Sequence, residues 1–240
     1  MFVEIMGILA TALAILFFSI SAYNVVLIFV GLRMARGWPR VFDKGSLRNP
    51  VDLPKVSIIV PAKDEELLIE GAIRCAQALD YPKEMYEIIV VTDGSQDATQ
   101  ETAERLQAEV GNLAVLHEPK CTGKPAALNR GLRPAKGEVV AIFDVDSRYE
   151  PDLLLRVAKF LHDHPETEVV QAVPKIVDAD ENVITRINSY EMLFWYEGLH
   201  TAKDKYGLFM HLAGAALFVK REVFDRIGTW DETSVTEDLE

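Results

Sequence analysis

Residues 5–32 contain no charged side chain, a run of 28. As an α-helix at 1.5 Å per residue, such a run reaches roughly 42 Å, more than the ~30 Å hydrocarbon core of a bilayer requires. A modest tilt, or seating Ser19, Ser21 and Asn24 against a partner helix, takes up the excess. A cleaved signal peptide is the competing reading. It fits poorly, because residues 1–4 carry no positive charge and the apolar stretch is too long. The expectation is therefore a retained transmembrane anchor over residues 1–33 of an integral membrane protein.

The charge balance changes sign after the anchor. The first 48 residues hold five Lys/Arg against two acids, a net of +3, whereas the remainder holds 20 against 35, a net of −15. The basic side chains Arg33, Arg36, Arg40, Lys44 and Arg48 follow the apolar run. The positive-inside rule places that end, and the domain after it, in the cytoplasm. The same cluster suits the anionic headgroups of membrane lipids. Residues 34–54 read as a basic juxtamembrane linker, with Trp38 and Phe42 suited to an interface belt and Pro39, Pro50 and Pro54 opposing regular structure. An acidic body with a pI near 4.9 excludes the basic footprint of a nucleic-acid partner. Two cysteines, Cys75 and Cys121, are too few for a disulfide scaffold and read as reduced thiols.

From residue 55 the pattern is α/β. Residues 56–60, Val-Ser-Ile-Ile-Val, form a β-branched apolar run ending at Pro61, and residues 87–91 form a second; both read as buried strands. Between them Ile69, Ala72, Ile73, Ala76 and Leu79 share one helical face, which completes a βαβ unit. Asp97 with Gln100 resembles a capping box opening a helix. Residues 113–116 and 139–143 read as further strands, with a helix near 125–132 between them. Such alternation implies a largely parallel sheet between helices, with ligands gathering at the carboxyl ends of its strands. The polar residues cluster there: Lys63, Asp64 and Glu65 after the first strand, Asp93 after the second, Asp144 and Asp146 after the fourth. Neither G-x-G-x-x-G nor G-x-x-x-x-G-K-[ST] is present, which argues against dinucleotide and P-loop chemistry.

Asp144-Val-Asp146 directly follows an apolar strand, so alternate residues can aim both carboxylates at one hard cation. A divalent ion on a diphosphate neutralises a departing polyanion. The plainer alternative is a pair of solvated loop acids. Gly123 permits close backbone approach and Lys124 stands at a helix start, where phosphate is favoured; a surface lysine is the alternative. Asp93, one residue before Gly94, can accept from a base or ribose, or act as a turn acid. Asp238 in Thr236-Glu-Asp238 reads, from residues alone, as a helix-start carboxylate. Residues 183–200 are rich in aromatic and aliphatic side chains. They fit a packing helix, or an interfacial or acceptor-groove helix.

Five motifs in order, Pro61-Ala-Lys-Asp-Glu65, Val91-Thr-Asp-Gly-Ser95, Gly123-Lys-Pro-Ala-Ala-Leu-Asn129, Asp144-Val-Asp146 and Thr236-Glu-Asp238, give residues 55–240 a pattern that resembles the family-2 glycosyltransferases. The likeness is to their membrane-bound branch, with the cellulose, hyaluronan, chitin and poly-N-acetylglucosamine synthases. The resemblance implies a GT-A domain after one transmembrane helix, and inverting transfer from a nucleotide-sugar, most often a UDP-sugar, to a saccharide acceptor with a divalent cation (Mg2+ or Mn2+). By the same resemblance, Ala62, Glu65 and Asp93 contact the nucleoside and Lys124 the diphosphate. Asp144 lies near nucleotide and metal, and Asp146 is the main metal ligand. Asp238 is the general base, Glu237 shapes the acceptor end, and Gly214 belongs to a small-residue wall below the acceptor.

Three departures stand against the family pattern. Position 64 is Asp where Asn is usual, and position 92 is Thr where a second Asp is frequent. The chain also ends at Glu240, before the Q-x-x-R-W motif and later transmembrane helices of processive members, so it is expected to be a fragment. A polyprenyl-phosphate (lipid-linked) acceptor and a non-catalytic nucleotide-sugar-binding membrane subunit are the alternative functions.

Overall fold

The computed structural model describes residues 2–35 and 53–233. Most of the basic linker, and the Thr236-Glu237-Asp238 motif with its candidate base, lie outside the described residues. The chain divides into two compact units. One joins the first helix to Val173–Met210; the other is a sheet with its covering helices, built from chain that stops at Ala172 and resumes at His211.

In the first unit α1 (Phe2–Ala35) is a single helix of 34 residues, long and apolar enough to cross a membrane. Its buried residues are Leu27, Gly31 and Ala35, all near its C-terminal end. The same unit holds α6 (Val183–Met192), a π-helical turn (Leu193–His200) and α7 (Thr201–Lys205). The aromatic stretch 183–200 is thus helical throughout, as its composition suggested, but its two halves differ. Gly198, Leu199 and His200 are buried, whereas α6 has no buried residue.

The second unit contains β1 (Val56–Ala62), α2 (Ile69–Gln77), β2 (Tyr86–Asp93), α3 (Thr99–Gln107), β3 (Leu113–Glu118), α4 (Lys124–Leu132), β4 (Val139–Ile142), α5 (Leu153–Asp163), β5 (Val169–Gln171), β6 (Leu217–Lys220) and α8 (Arg221–Ile227). The sheet order is β3-β2-β1-β4-β6-β5. The first four strands are parallel, and β6 runs antiparallel to both β4 and β5. The expectation of a largely parallel sheet holds for the four strands that the sequence marks. Strands β5 and β6, at 3 and 4 residues, are too short to show a period.

Side-chain alternation splits the core in two. Ile58 and Val60 of β1, Ile88 and Val90 of β2 and Ala141 of β4 face α2, α3 and α5. Ile59, Ile89, Val91, Val140 and Ile142 face α4. Burial on both faces explains the unbroken apolar runs, and each fully buried Ile contributes about 1.5–3 kcal/mol. The expected face of α2 is observed: Ile69, Ala72, Ile73, Ala76 and Leu79 are all buried. Strand β1 continues through Pro61 instead of ending there. Its ladder with β4 stops at Ile59, so the missing N–H breaks no pairing on that side.

One local expectation is corrected. Asp97 and Gln100 do not form a capping box. Helix α3 starts at Thr99, with Ala98 as an N-cap that makes no side-chain bond. The Asp97 carboxylate instead accepts from the backbone N–H groups of Glu66 and Thr99. Gln100 donates to Glu104. One Asp97 oxygen thus holds the first turn of α3 locally while the other ties it to the distant loop after β1.

Candidate donor-binding cleft

The chain runs outward from β1 to β2 to β3, then returns to place β4 on the other side of β1. That reversal puts a crevice beyond the carboxyl ends of β1 and β4, where open α/β sheets bind ligands. A cleft of about 430 Å³ lies there. Ala62, Glu65, Asp93, Lys124, Asp144 and Asp146, six positions scattered over 85 residues of sequence, all line it.

After β1 the chain turns at Asp64, whose φ is +53°. Asn and Asp tolerate this left-handed conformation better than other side chains, which explains why Asp serves where Asn is usual. Asp64 Oδ1 accepts from Gln96 N–H at 2.8 Å, and Glu65 N–H donates to Thr99 Oγ1 at 2.7 Å. These bonds stitch the turn to the loop after β2 and leave the Glu65 carboxylate on the cleft. Burial, and next the charge of Asp146, push Glu65 above the usual carboxylate range, with Asp97 and Asp64 adding to the shift.

After β2, Thr92 is fully buried and its Oγ1 lies 3.1 Å from His117 Nδ1, so the position that departs from the family pattern serves the sheet. Asp93 is buried and takes on a role that the sequence did not suggest. Its Oδ1 accepts from Thr122 N–H at 2.9 Å and Thr122 Oγ1–H at 2.8 Å, and its Oδ2 accepts from Gly123 N–H at 2.8 Å. The carboxylate thereby ties the end of β2 to the start of α4. Burial raises its proton affinity, but the donors from Thr122, Gly123 and Cys121 outweigh that and leave it below the usual range. Gly94 has φ of +66°, and a Cβ there would overlap the Cys121 backbone, so glycine permits this close approach.

Replacing Asp93 by asparagine turns an NH2 toward loop donors and leaves one of them without an acceptor. We expect a loss of about 1–3 kcal/mol, read as a lower Tm, together with weaker nucleotide binding. The pH sign follows from the depressed pKa. The stabilisation is present above the ordinary Asp value and disappears as pH falls through the lower folded value. An acid unfolding profile that is identical in wild type and Asp93→Asn would contradict this role.

Helix α4 begins at Lys124 behind Gly123, whose φ is +94°, with Pro125 in its first turn. Gly123 and Lys124 both line the cleft, so the positive end of the helix dipole faces it. After β4, Phe143 and Val145 are buried while Asp144 and Asp146 face the cleft, which is the alternation expected of D-x-D on an extended chain. Lys124 Nζ lies 3.2 Å from Asp144 Oδ1. The expected phosphate-binding lysine and the expected metal-side aspartate therefore meet across the cleft.

Tyr149 was missed by the sequence reading. Its ring stacks on Phe143 at 3.7 Å, its hydroxyl accepts from Asp144 N–H at 3.1 Å, and its own N–H donates to Cys75 Sγ at 3.3 Å. Burial pushes its phenol well above the usual range, so it stays protonated. Nothing in the local sequence marks Tyr149 or Thr122, because each acts on a residue that the fold brings near.

Gly214 is buried in the turn before β6 and does not line the cleft. The Gln171 side chain brackets it, accepting from Ala213 N–H at 2.9 Å and donating to the Ala215 carbonyl at 2.8 Å.

Among the described residues, no group of three or more His, Cys, Asp or Glu side chains is arranged to hold a metal. Asp144 and Asp146 fit a hard cation that takes two carboxylates from protein and its other oxygens from phosphate and water, as Mg2+ commonly does.

The family model described as "Glycosyl transferase family 2" matches residues 57–228. The chain belongs to glycosyltransferase family 2. The beta-monoglucosyldiacylglycerol synthase of Trichormus variabilis is 35% identical over 192 residues, covering 78% of this chain and 40% of that protein. The chain thus spans well under half the length of that relative. Among solved structures, the mannosyltransferase PcManGT of Pyrobaculum calidifontis, in complex with GDP-Man and Mn2+, has a TM-score of 0.66 and 26% identity, covering 92% of this chain and 60% of that one. TarS 1-349 of S. aureus, in complex with UDP-GlcNAc, has a TM-score of 0.56 and 22% identity, covering 77% and 51%. The TarS likeness is one of fold. The family model and the mannosyltransferase neighbour together place the sheet unit in the GT-A fold.

Proposed function

We propose that this family-2 chain carries the donor side of an inverting glycosyltransferase that moves a sugar from a nucleotide-sugar to a lipid or lipid-linked acceptor at the cytoplasmic face of a membrane. The observation that carries this reading is the meeting of Lys124 and Asp144 at 3.2 Å in the cleft that Asp146 also lines. A diphosphate seated there meets the Lys124 ammonium and the N-terminal end of α4, which bind its charge without covalent chemistry. Asp144 and Asp146 are the side chains that would hold a divalent cation. When bound, that ion draws charge from the leaving diphosphate. Ala62 and Glu65 would flank the nucleoside. Asp93 acts at one remove, holding Thr122 and Gly123 at the cleft wall. Asp238, outside the described residues, is proposed as the base for the acceptor hydroxyl, with Glu237 beside it, by the motif resemblance alone.

The complex of the mannosyltransferase neighbour with GDP-Man supports a nucleoside-diphosphate sugar as donor class. The glycolipid name of the Trichormus variabilis relative favours a lipid acceptor over the saccharide chain extended by polymer synthases. Arg33 in the last turn of α1 supports the cytoplasmic placement.

Calorimetric titration of UDP and of GDP, each with and without Mn2+, tests the donor reading. We expect binding of one nucleotide to tighten about tenfold or more with the ion, the equivalent of about 1.4 kcal/mol or more of favourable charge interaction through a shared cation. Binding indifferent to Mn2+ would remove the role of Asp144 and Asp146. Offering diacylglycerol, polyprenyl phosphate and oligosaccharide in parallel then separates the acceptor classes.

A further inference from the structure

Helix α6 is well specified yet buries nothing. Its start is fixed by Asn182, whose Oδ1 accepts from the N–H groups of Ile184 and Thr185, while Thr185 Oγ1 accepts from Asn182 N–H at 3.1 Å. Val183, Ile187 and Tyr190, at i, i+4 and i+7, form one face and are 71%, 58% and 54% exposed. Phe194 and Trp195 carry that apolar surface into the π-helical turn. Thr185 and Ser189 lie on the other side of the helix, and Arg186 borders the stripe. Water is a poor solvent for such a stripe, and a run this long marks a contact surface.

What covers it follows from where the segment is attached. Leu199 and Ala202 pack with Leu27 of α1, and a Cβ at Gly31 would overlap the Gly198 carbonyl, so the two backbones touch. On α1 every residue from Phe2 to Ile20 is exposed, and burial begins with Ser21. The uncharged part of that length, residues 5–20, is 16 residues or about 24 Å, most of the ~30 Å of a hydrocarbon core, and the next turn completes it. The packed segment therefore meets α1 where the helix would leave the hydrocarbon, the depth at which tyrosine and tryptophan are favoured. The turn after α7 adds exposed Tyr206, Leu208 and Phe209. Lys203 and Lys205 stand beside that turn.

We propose that the Val183, Ile187, Tyr190, Phe194 and Trp195 face lies in the boundary between headgroups and acyl chains of the bilayer, as a membrane-surface element held on the inner end of the anchor. This rests on the reading of α1 as membrane-spanning. Its partner is the lipid surface itself. The exposed face is continuous with the apolar surface of α1, whereas a soluble protein partner would leave the adjoining α1 surface uncovered.

The test is depth-dependent quenching in the full chain, reconstituted in phosphatidylcholine and phosphatidylglycerol vesicles with bromines near the glycerol end or the methyl end of the acyl chains. Subtracting the emission of Trp195→Phe from that of wild type isolates Trp195. Ile187→Trp, introduced into the Trp195→Phe protein, gives an independent second position. Both are expected to be quenched several-fold more by the shallow bromines. Leu13→Trp in the same background, near the middle of the exposed length of α1, reports on the anchor and should respond to the deep ones. A quenched Leu13→Trp with unquenched probes at 187 and 195 overturns this inference while the anchor reading stands; another protein segment or a second copy then covers the face. Probes at 187 and 195 that are quenched best by deep bromines also overturn it. If Leu13→Trp is not quenched, the anchor reading falls and this inference falls with it.

Discussion

Asp146→Ala is expected to lower sugar transfer by about 10³-fold, the equivalent of ~4 kcal/mol of lost charge stabilisation on the departing diphosphate. Asp146 is exposed and Val145, which anchors the turn, is unchanged, so Tm should stay near that of wild type. The defect should appear as a lost Mn2+ dependence of nucleotide binding and as slow release of nucleoside diphosphate. The substitution also removes the charge that, after burial, contributes most to the raised proton affinity of Glu65, which should return toward the ordinary range. Turnover within a few-fold of wild type would end the case for Asp146 as a cation ligand.

The second large effect is expected at Asp238. Asp238→Asn keeps size and polarity but cannot take a proton, so transfer should fall by about 10²–10⁴-fold, the usual contribution of a positioned base. Nucleotide affinity, with and without Mn2+, should not move, because Lys124, Asp144 and Asp146 are intact. The contrast is diagnostic: Asp146→Ala damages binding and turnover together, whereas Asp238→Asn damages turnover alone. Full turnover in Asp238→Asn would remove the general-base assignment. A loss of nucleotide binding would move the residue to the donor side.

The parts of the fold that were legible in the sequence are those with a strong apolar pattern. Residues 56–60 form a β-branched apolar run, and Ile69, Ala72, Ile73 and Ala76 repeat at helical spacing; each pattern became the element it implied. Candidate site residues on strand ends and at the start of α4 were also visible, because topology alone places strand ends together. Less was visible where a residue works through a distant partner. Asp93 was readable as an acid at a strand end, but its bonds to Thr122 and Gly123 span 29 and 30 residues. Asp97 looked like a purely local cap because the Glu66 N–H that its other oxygen holds lies 31 residues away. Gly214 was picked by motif likeness, and the bonds that Gln171 makes to its neighbours Ala213 and Ala215, 42 and 44 residues away, were not visible along the chain.

The grouping of Val173–Met210 with α1 also escaped a reading along the chain. The strands on either side of that segment have a structural consequence. Strands β5 and β6 pair directly, and Ala172 N–H donates to the Ala216 carbonyl at 3.0 Å, so the departing and returning chains are fastened side by side at the sheet edge. A loop closed at its base in this way can lengthen, shorten or be replaced at little entropic cost to the sheet. The donor cleft and the inserted segment can therefore diverge separately, one under selection for the sugar nucleotide and the other for its own surroundings. Grafting Val173–Met210 from a relative between Ala172 and His211 should exchange one set of properties and leave nucleotide recognition in place.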